Sequence, residues 1–306
     1  VAGVAGEVTP DGPTADPTEI HVVTVAYNPG EELAQFAATL ATATSAPYRL
    51  TVVDNGDDPR VVDDVAAGCG AEVVRPGANL GYGTGANLGA RGGTEPWLVV
   101  ANNDLVWEPG ALDELVAAGR RNLRAGALGP KVLNTDGTVY ASARALPSLV
   151  VGTGHAVLAP LWPGNPFTAR YQRRSGLGAA EDKAVGWLSG SCLLLRREAF
   201  DAVGGFDEDY FMFFEDTDLG DRLGRAGWEN VYVPSAVVVH DQGATWRERP
   251  APMVRAHHAS AERYLRGRYD AWWQAPVRGA LAVGLRARAA LLRPRQEPDE
   301  PLRPLT

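Results

Sequence analysis

From residue 20 to about residue 135, short apolar runs alternate with segments whose apolar residues recur at helical spacing. The run "IHVVTVAY" predicts a buried strand, and "NPGEELAQFAATLATA" after it predicts a helix. That helix is expected to start with Asn28 as N-cap, Pro29 at the first helical position and Glu31 three residues past the cap. The series continues with "YRLTVVDNG" as strand, "DPRVVDDVAAGC" as helix, "AEVVRPG" as strand and a glycine loop that opens a third helix. "PWLVVANND" is a strand, "PGALDELVAAGRRN" a helix, and "AGALGPKVL" a strand again. Such alternation, with strands apolar throughout, suits a parallel sheet covered by helices on both faces.

Beyond this point the pattern weakens. Residues 138–183 are rich in Pro, Gly and Arg and predict long loops over a binding site. "AVGWLSGSCLLLRR" resumes a strand, "REAFDAVGG" and "DTDLGDRLGRAG" are helices, and "ENVYVPSAVVVHD" supplies the last strands. Helices are expected from about 252 to 292. Residues 1–18, rich in Pro, Gly and Thr, read as a disordered segment.

Composition narrows the class. With 306 residues and 45% hydrophobic content, the chain can bury a sizeable core. Cys69 and Cys192 stand far apart with no C-x-x-C, which argues against a disulfide framework or a zinc knuckle and for a cytoplasmic protein. The net charge is −8, yet between Arg247 and Arg295 eleven arginines face only Glu248, Glu262 and Asp270. That basic stretch reads either as a surface for anions such as lipid headgroups or as a solvated helix face. No run approaches the roughly 20 apolar residues that span a bilayer. The most apolar C-terminal run is broken by Arg278, Arg286 and Arg288 and can lie on a membrane rather than cross it. Residues 1–18 lack a charged segment followed by an apolar one, so no secretory leader is expected in them.

The loop "NLGYGTGANLGARG" holds Gly81, Gly83 and Ala86 in a near match to a dinucleotide fingerprint. Three features argue against a nicotinamide enzyme. "RPGANL" separates the strand from Gly81, the unit is third in the sheet, and Asn79 and Asn87 bracket the loop without a role in that motif. Polar residues also end the first two strands, in "TVAYN" and "VVDNG". They cluster at carboxyl ends of neighbouring strands, where open α/β sheets bind ligands.

Taken together, "VVTVAYN", "VVDNG", "NLGYGTGANLGA", "VVANNDLVWEPGAL", "GWLSGSCLLLRREAFDAVGGFDEDYFMFFEDTDLGDRLGRAGW" and "VVVHDQGATW" resemble the inverting glycosyltransferases of family 2, nearest to their rhamnosyltransferases. The resemblance runs from about 20 to 250. It implies a GT-A fold, a mixed and mostly parallel sheet flanked by helices, here with a C-terminal helical extension. The expected organisation is a catalytic domain over 19–250 and a basic amphipathic helical region over 251–306. Within the domain, a nucleotide-binding half covers about 19–135 and an acceptor half about 136–250. The implied reaction moves L-rhamnose from dTDP-L-rhamnose onto polyprenyl-diphosphate-linked N-acetylglucosamine, in synthesis of a cell-wall linker for arabinogalactan. The alternatives are a UDP- or GDP-sugar transferase of the same family, an NAD(P)-dependent reductase, or a non-catalytic sugar-nucleotide-binding protein. The implied location is the inner face of the cell membrane, with no nucleic-acid partner.

Each motif then has an expected task. Asp54, at a strand end, is placed to accept the ring N–H of thymine or uracil, or else to close an Asx-turn. Thr24, Ala26, Tyr27, Asn28 and Asn55 are expected to line base and ribose, though Tyr27 serves equally as a core aromatic. Gly81 and Gly83 would let backbone approach the nucleotide, with Asn79 and Asn87 supplying amides, unless the loop is only a helix start. The family's metal-binding Asp-x-Asp corresponds to Asn102-Asn103-Asp104, which leaves Asp104 as the sole carboxylate. With Asn103 beside it and His240 matching the family's ligand histidine, Asp104 is implied to hold Mg²⁺ or Mn²⁺ against the donor diphosphate. Arg247 would add charge near the leaving group. The resemblance places the general base at Asp216, with Glu215 as alternative, while Asp218 pairs with Arg222. Trp187, Ser189, Gly190 and Ser191 are expected at the acceptor. Trp272 and Trp273 suit an interfacial helix, and the rival reading packs that region on the catalytic domain or on a second subunit in a homodimer.

Overall fold

The computed structural model describes residues 19–147, 162, 164–166, 180–241, 250–269, 271–276 and 279. The segment 1–18, most of the expected loops between 148 and 179, Arg247, and the apolar run beyond 279 lie outside the described residues.

Four parallel strands form the first half of the sheet: β1 (Ile20–Ala26), β2 (Tyr48–Asp54), β3 (Glu72–Val74) and β4 (Trp97–Asn102), in spatial order β3-β2-β1-β4. The sheet continues through β10 (Cys192–Arg196), β6 (Ala125–Asn134), β11 (Glu229–His240) and β5 (Leu105–Trp107). β10 runs antiparallel to both β4 and β6, and β5 antiparallel to β11, so the sheet is mixed, as the family resemblance implies. A short β8 (Lys183–Val185) joins the early part of β11, and β7 (Ala143–Arg144) pairs with β9 (Trp187–Leu188) in a separate two-stranded ribbon. The single strand expected over "AVGWLSGSCLLLRR" is therefore divided among β8, β9 and β10, with the loop Ser189–Ser191 between the last two. β11 bends at a bulge between Val233 and Val237, next to Pro234, which has no N–H for the ladder.

Helices cover both faces. On one lie α1 (Glu32–Ala43), α2 (Arg60–Cys69) and α4 (Ala111–Arg121); on the other lie α3 (Tyr82–Ala90), α5 (Arg197–Ala202) and α6 (Glu215–Arg225). In α1 the buried residues Leu33, Phe36, Ala37, Leu40 and Ala43 keep the spacing of one helix face, and Phe36 meets Trp107 at 6.1 Å between ring centroids. Opposite, Phe200, Phe206, Leu219 and Leu223 pack on Val23, Leu98 and Leu193. The helix α7 (Pro250–Arg268) and a 3₁₀ turn at Trp272–Gln274 follow β11.

The start of α1 departs from expectation. Asn28 does not cap it: its backbone is left-handed at φ 47°, and its Oδ1 accepts the N–H groups of Asp57 and Asp58 at 3.0 and 3.4 Å. A side chain that staples the loop after β2 cannot also reach the first turn of α1. The helix begins at Glu32, whose Oε1 accepts Gly30 N–H at 2.8 Å.

Candidate active site

The carboxyl ends of β1, β2, β4, β6 and β11 share one edge of the sheet, and the polar loops gather there. Asp104 and His240, separated by most of the chain, meet through register. Asn103 and Asp104 form the turn from β4 into β5, and β5 sets Leu105 opposite His240. His240 Nε2 then lies 3.0 Å from Asp104 Oδ1 and 3.2 Å from Asn102 Nδ2. Asp104 Oδ1 and His240 Nδ1 are both buried without a hydrogen-bond partner among the described residues. A bare carboxylate oxygen beside a ring nitrogen is costly unless something else completes the pair. The 3.0 Å separation suits adjacent ligands of an octahedral cation with bonds of about 2.1 Å. Among the described residues no cluster of three or more His, Cys, Asp or Glu side chains is present, so a cation here would need further oxygens from a ligand.

Across the ladder from Asn102 lies the loop Ser189-Gly190-Ser191 that leads into β10. Ser191 C=O accepts Asn102 N–H at 2.9 Å, and Ser189 N–H donates to Ser142 C=O at 2.7 Å. Gly190 N–H donates to Asp216 Oδ2 at 2.9 Å, while Asp216 Oδ1 accepts the N–H of Thr217 at 2.6 Å. Asp216 stands in the first turn of α6, where the helix dipole favours negative charge. Glu215 beside it is buried, and its Oε2 has no hydrogen-bond partner among the described residues. Burial pushes both carboxyls above the ordinary range; Asp216's charge drives Glu215 further, while N–H donors from Gly190 and Thr217 and the Arg144 charge pull Asp216 back. Of two adjacent acids that resist ionising together, Asp216 is the one built to carry the charge.

Tyr82 is a member of the site that the glycine motif hid. Its hydroxyl donates to Gly190 C=O at 2.5 Å. Burial, and then the charges of Glu215, Cys192, Asp216 and Asp104, hold its phenol well above the usual range. All three carboxyl groups therefore lie within electrostatic reach of one ring. Nothing but its position between Gly81 and Gly83 distinguished it in the sequence.

The glycine loop does different work from that expected. Gly81 has φ 81°, and a Cβ there would stand 2.1 Å from Phe211 C=O; Tyr82 N–H donates to that same carbonyl at 3.1 Å. A Cβ on Gly83 would press on Phe206 at 3.0 Å. Both glycines thus let α3 close on the segment before α6 rather than on a nucleotide. The amides share that purpose. Asn79 Oδ1 accepts Gly81 N–H at 2.9 Å, and Asn55 Nδ2 donates to Gly81 C=O at 3.0 Å. Asn87 accepts Phe206 N–H at 2.9 Å and donates to Phe206 C=O at 2.8 Å and to Glu208 Oε1 at 3.2 Å, which engages both its N–H groups within the protein. Of these three asparagines, Asn55 keeps a buried Oδ1 with no hydrogen-bond partner among the described residues.

Other expected contacts also need correction. Thr24 and Ala26 are fully buried, so neither offers surface to a base or ribose. Tyr27 is exposed at the strand end and is not a core aromatic. Asp54 makes the Asx-turn, accepting Gly56 N–H at 3.1 Å, and its other oxygen takes Arg75 Nε at 3.1 Å. Asp218 pairs with Arg222 at 2.6 Å as expected.

The backbone before α6 is strained. Phe213 and Phe214 both have left-handed φ, 67° and 66°, at a cost of order 1–3 kcal/mol each. α7 helps to hold them: Phe213 and Phe214 pack on His257 at 5.5 and 5.3 Å, and Ser260 Oγ donates to Met212 C=O at 2.8 Å. Arg263 pairs with Asp207 and Asp209, and Arg268 with Asp221. Arg263 and Arg268, part of the basic stretch that reads as an anion surface, a solvated face or a region packed on the catalytic domain, are engaged with the domain.

Comparison with known proteins agrees with this architecture. A family model described as "Glycosyltransferase like family 2" matches residues 17–259. N-acetylglucosaminyl-diphospho-decaprenol L-rhamnosyltransferase of Mycobacterium tuberculosis is 47% identical over 283 residues, covering 89% of this chain and 92% of that protein. Among solved structures, the mannosyltransferase PcManGT of Pyrobaculum calidifontis in complex with GDP-Man and Mn²⁺ aligns with TM-score 0.53 at 17% identity, over 90% of this chain and 76% of that one. GalNAc-T7 with UDP, GalNAc and Mn²⁺ aligns with TM-score 0.55 at 17% identity, over 73% of this chain and 44% of its own length. The shared fold is GT-A.

Proposed function

The chain belongs to glycosyltransferase family 2, and from that premise we propose that it transfers L-rhamnose from dTDP-L-rhamnose to a polyprenyl-diphosphate-linked N-acetylglucosamine, with inversion. One observation carries the mechanism. A continuous path links Asp216 through Gly190, Ser191 and Asn102 to His240 and Asp104. A proton acceptor at the start of α6 and a candidate cation site at the ends of β4 and β11 are thus joined through the Gly190 loop, as a single displacement requires.

Asp216 takes the proton from the acceptor hydroxyl, which attacks the anomeric carbon from the face opposite the departing nucleoside diphosphate. The N–H donors on both Asp216 oxygens orient the carboxylate. Tyr82 fixes the Gly190 loop from its other side. Glu215, neutral through burial, does not compete for the proton. Asp104 and His240 would hold Mg²⁺ or Mn²⁺, which when bound neutralises charge that develops on the leaving diphosphate. With one protein carboxylate in that pair, the cation should bind weakly until nucleotide oxygens complete its shell. Asp54 and Tyr27 remain the candidates for the base, with Arg75 already on the Asp54 carboxylate.

The acceptor is a lipid, and the peripheral contact with its membrane falls to Trp272 and Trp273, 86% and 63% exposed beyond α7. No helix among the described residues is long and apolar enough to cross a membrane. The test is reconstitution of the purified chain with dTDP-L-rhamnose, a short-chain prenyl-diphospho-N-acetylglucosamine and Mn²⁺ or Mg²⁺. A rhamnosylated product of inverted configuration is expected. Retention of configuration, or turnover confined to a UDP- or GDP-sugar, would overturn the reading.

A further inference from the structure

We propose that Arg144 forms an anion subsite that receives the phosphoryl group on the acceptor sugar, an inference that rests on the acceptor reading above. Arg144 lies on β7, directly across from Trp187 on β9. Its guanidinium lies over two aromatic rings, with Cζ 5.6 Å from the Trp187 ring centroid and 5.9 Å from that of Tyr140. Its Nε donates to Ala141 C=O at 2.8 Å, and its two terminal nitrogens have no hydrogen-bond partner among the described residues. The side chain is exposed, and it has no carboxylate within ion-pair distance among the described residues.

An arginine held in place by two rings and a backbone carbonyl, yet lacking an anion, is a preorganised site for one. Arg196 is also held against a ring, that of Trp97, but its guanidinium is spent on the carbonyls of Ala125, Gly119 and Asn122, whereas only Nε of Arg144 is engaged among the described residues. The location selects the anion. The same ribbon leads through Ser189 into Gly190, whose N–H holds the proton acceptor Asp216, and the Arg144 charge is felt at that carboxylate. The acceptor hydroxyl must sit at Asp216, and the phosphate on the acceptor's own anomeric carbon lies across one sugar ring from it. The donor diphosphate belongs at Asp104 and His240, on the other side of the Gly190 loop. A planar guanidinium offers two parallel N–H donors to a phosphoryl group, so charge and shape both fit.

The experiment compares two acceptors in the wild-type chain, Arg144→Ala and Arg144→Lys: a short prenyl-diphospho-N-acetylglucosamine and an uncharged octyl N-acetylglucosaminide. The ratio of kcat/KM for the charged over the uncharged acceptor should fall about tenfold or more in Arg144→Ala, the size of one charge-assisted hydrogen bond. Arg144→Lys should recover part of it, and the KM for donor should move little. Equal losses on both acceptors, or a loss expressed in the donor KM, would overturn the subsite and leave the overall reading standing. A wild-type chain that glycosylates neither acceptor would instead remove the acceptor reading, and this proposal with it.

Discussion

The two ends of the central parallel strands are both polar, and they are built on opposite principles. Where the strands begin, His21, Arg49, Thr51, Glu72, Glu95 and Arg197 form one network. Arg49 donates to Glu95 at 2.9 Å, to Glu72 at 2.8 Å and to His21 Nδ1 at 3.1 Å, while His21 Nε2 meets Thr51 Oγ1 at 2.9 Å. Where the strands end, Asp104 Oδ1, His240 Nδ1, Glu215 Oε2, Ser191 Oγ and Asn55 Oδ1 are buried without partners among the described residues. Burying a polar group without a partner costs about 1–3 kcal/mol, so a folded chain keeps several at one place only if something else pairs them. The satisfied end serves stability; the unsatisfied end is where the proposed function puts its ligands.

The sharpest way to break this division is at the proton acceptor. Asp216→Asn keeps the side chain's size and should lower kcat by 10²–10⁴-fold, the span of general-base catalysis. Donor affinity should stay near that of the parent, since the carboxylate meets the acceptor side. Glu215→Gln serves as the contrast. A neutral acid replaced by a neutral amide should retain most turnover and escape the parent's loss of stability as pH rises from 4.5 toward about 8, where the raised folded-state pKa of Glu215 makes its ionisation destabilising. If Glu215→Gln abolished turnover and Asp216→Asn did not, the roles of the two would be reversed.

Next in size is the pair at the end of β11. His240→Ala should reduce turnover by about 10²-fold and shift its dependence on Mn²⁺ to higher concentration. Melting temperature should change little, because the ring makes only the Asn102 and Asp104 contacts among the described residues. A variant that lost stability and kept its metal response would mark His240 as structural.

The sequence told much about the elements and little about which polar side chains face the cleft, and the reason is distance along the chain. Apolar spacing is local, so α1 and the strands β1 to β4 could be read from a few neighbouring residues. Asp104 meets His240 only because β5 pairs with β11, and the three residues of β5 fall between the expected strand and helix, too few to show a pattern of their own. Asparagine is equally suited to hold a nucleotide or a loop. Asn87 was settled by Phe206 and Asn28 by Asp57, partners no local pattern could name. The aspartates Asp104 and Asp216 were legible because their neighbours resemble a family, whereas Tyr82 and Arg144 depend on contacts with Gly190 and Trp187 from a remote ribbon.

At the satisfied end the expected effects pass from rate to stability. Arg49→Ala would strand Glu95, whose carboxyl burial would raise but whose hydrogen bond from Arg49 chiefly helps hold at about 2. Loss of that partner should cost about 2 kcal/mol, below the figure for a fully buried pair because Arg49 is partly exposed. Denaturant unfolding would measure it, and kcat/KM at low temperature should be unchanged. A large catalytic defect in a folded Arg49→Ala chain would show that the two ends are coupled.

The finest test uses pH on His21. Burial, with the adjacent Arg49 charge, lowers its pKa from 6.5 to about 4, against a smaller opposing pull from Glu95. Its Nδ1 faces guanidinium donors of both Arg49 and Arg197, at 3.1 and 3.4 Å, so protonation would set a third cation between two others. Between those pKa values the unfolded chain binds a proton that the folded chain refuses, and stability therefore falls as pH falls. From pH 7 to 5 this one group should remove about 2 kcal/mol, or a few degrees of melting temperature. His21→Asn keeps an acceptor for the two arginines but cannot take the proton. It should be less stable than the parent at pH 7, where the ring's packing is lost, and should show a shallower decline toward pH 5. Parallel pH curves for the two proteins would mean that the acid sensitivity originates elsewhere, and that the strand starts are less completely sealed than their hydrogen bonds imply.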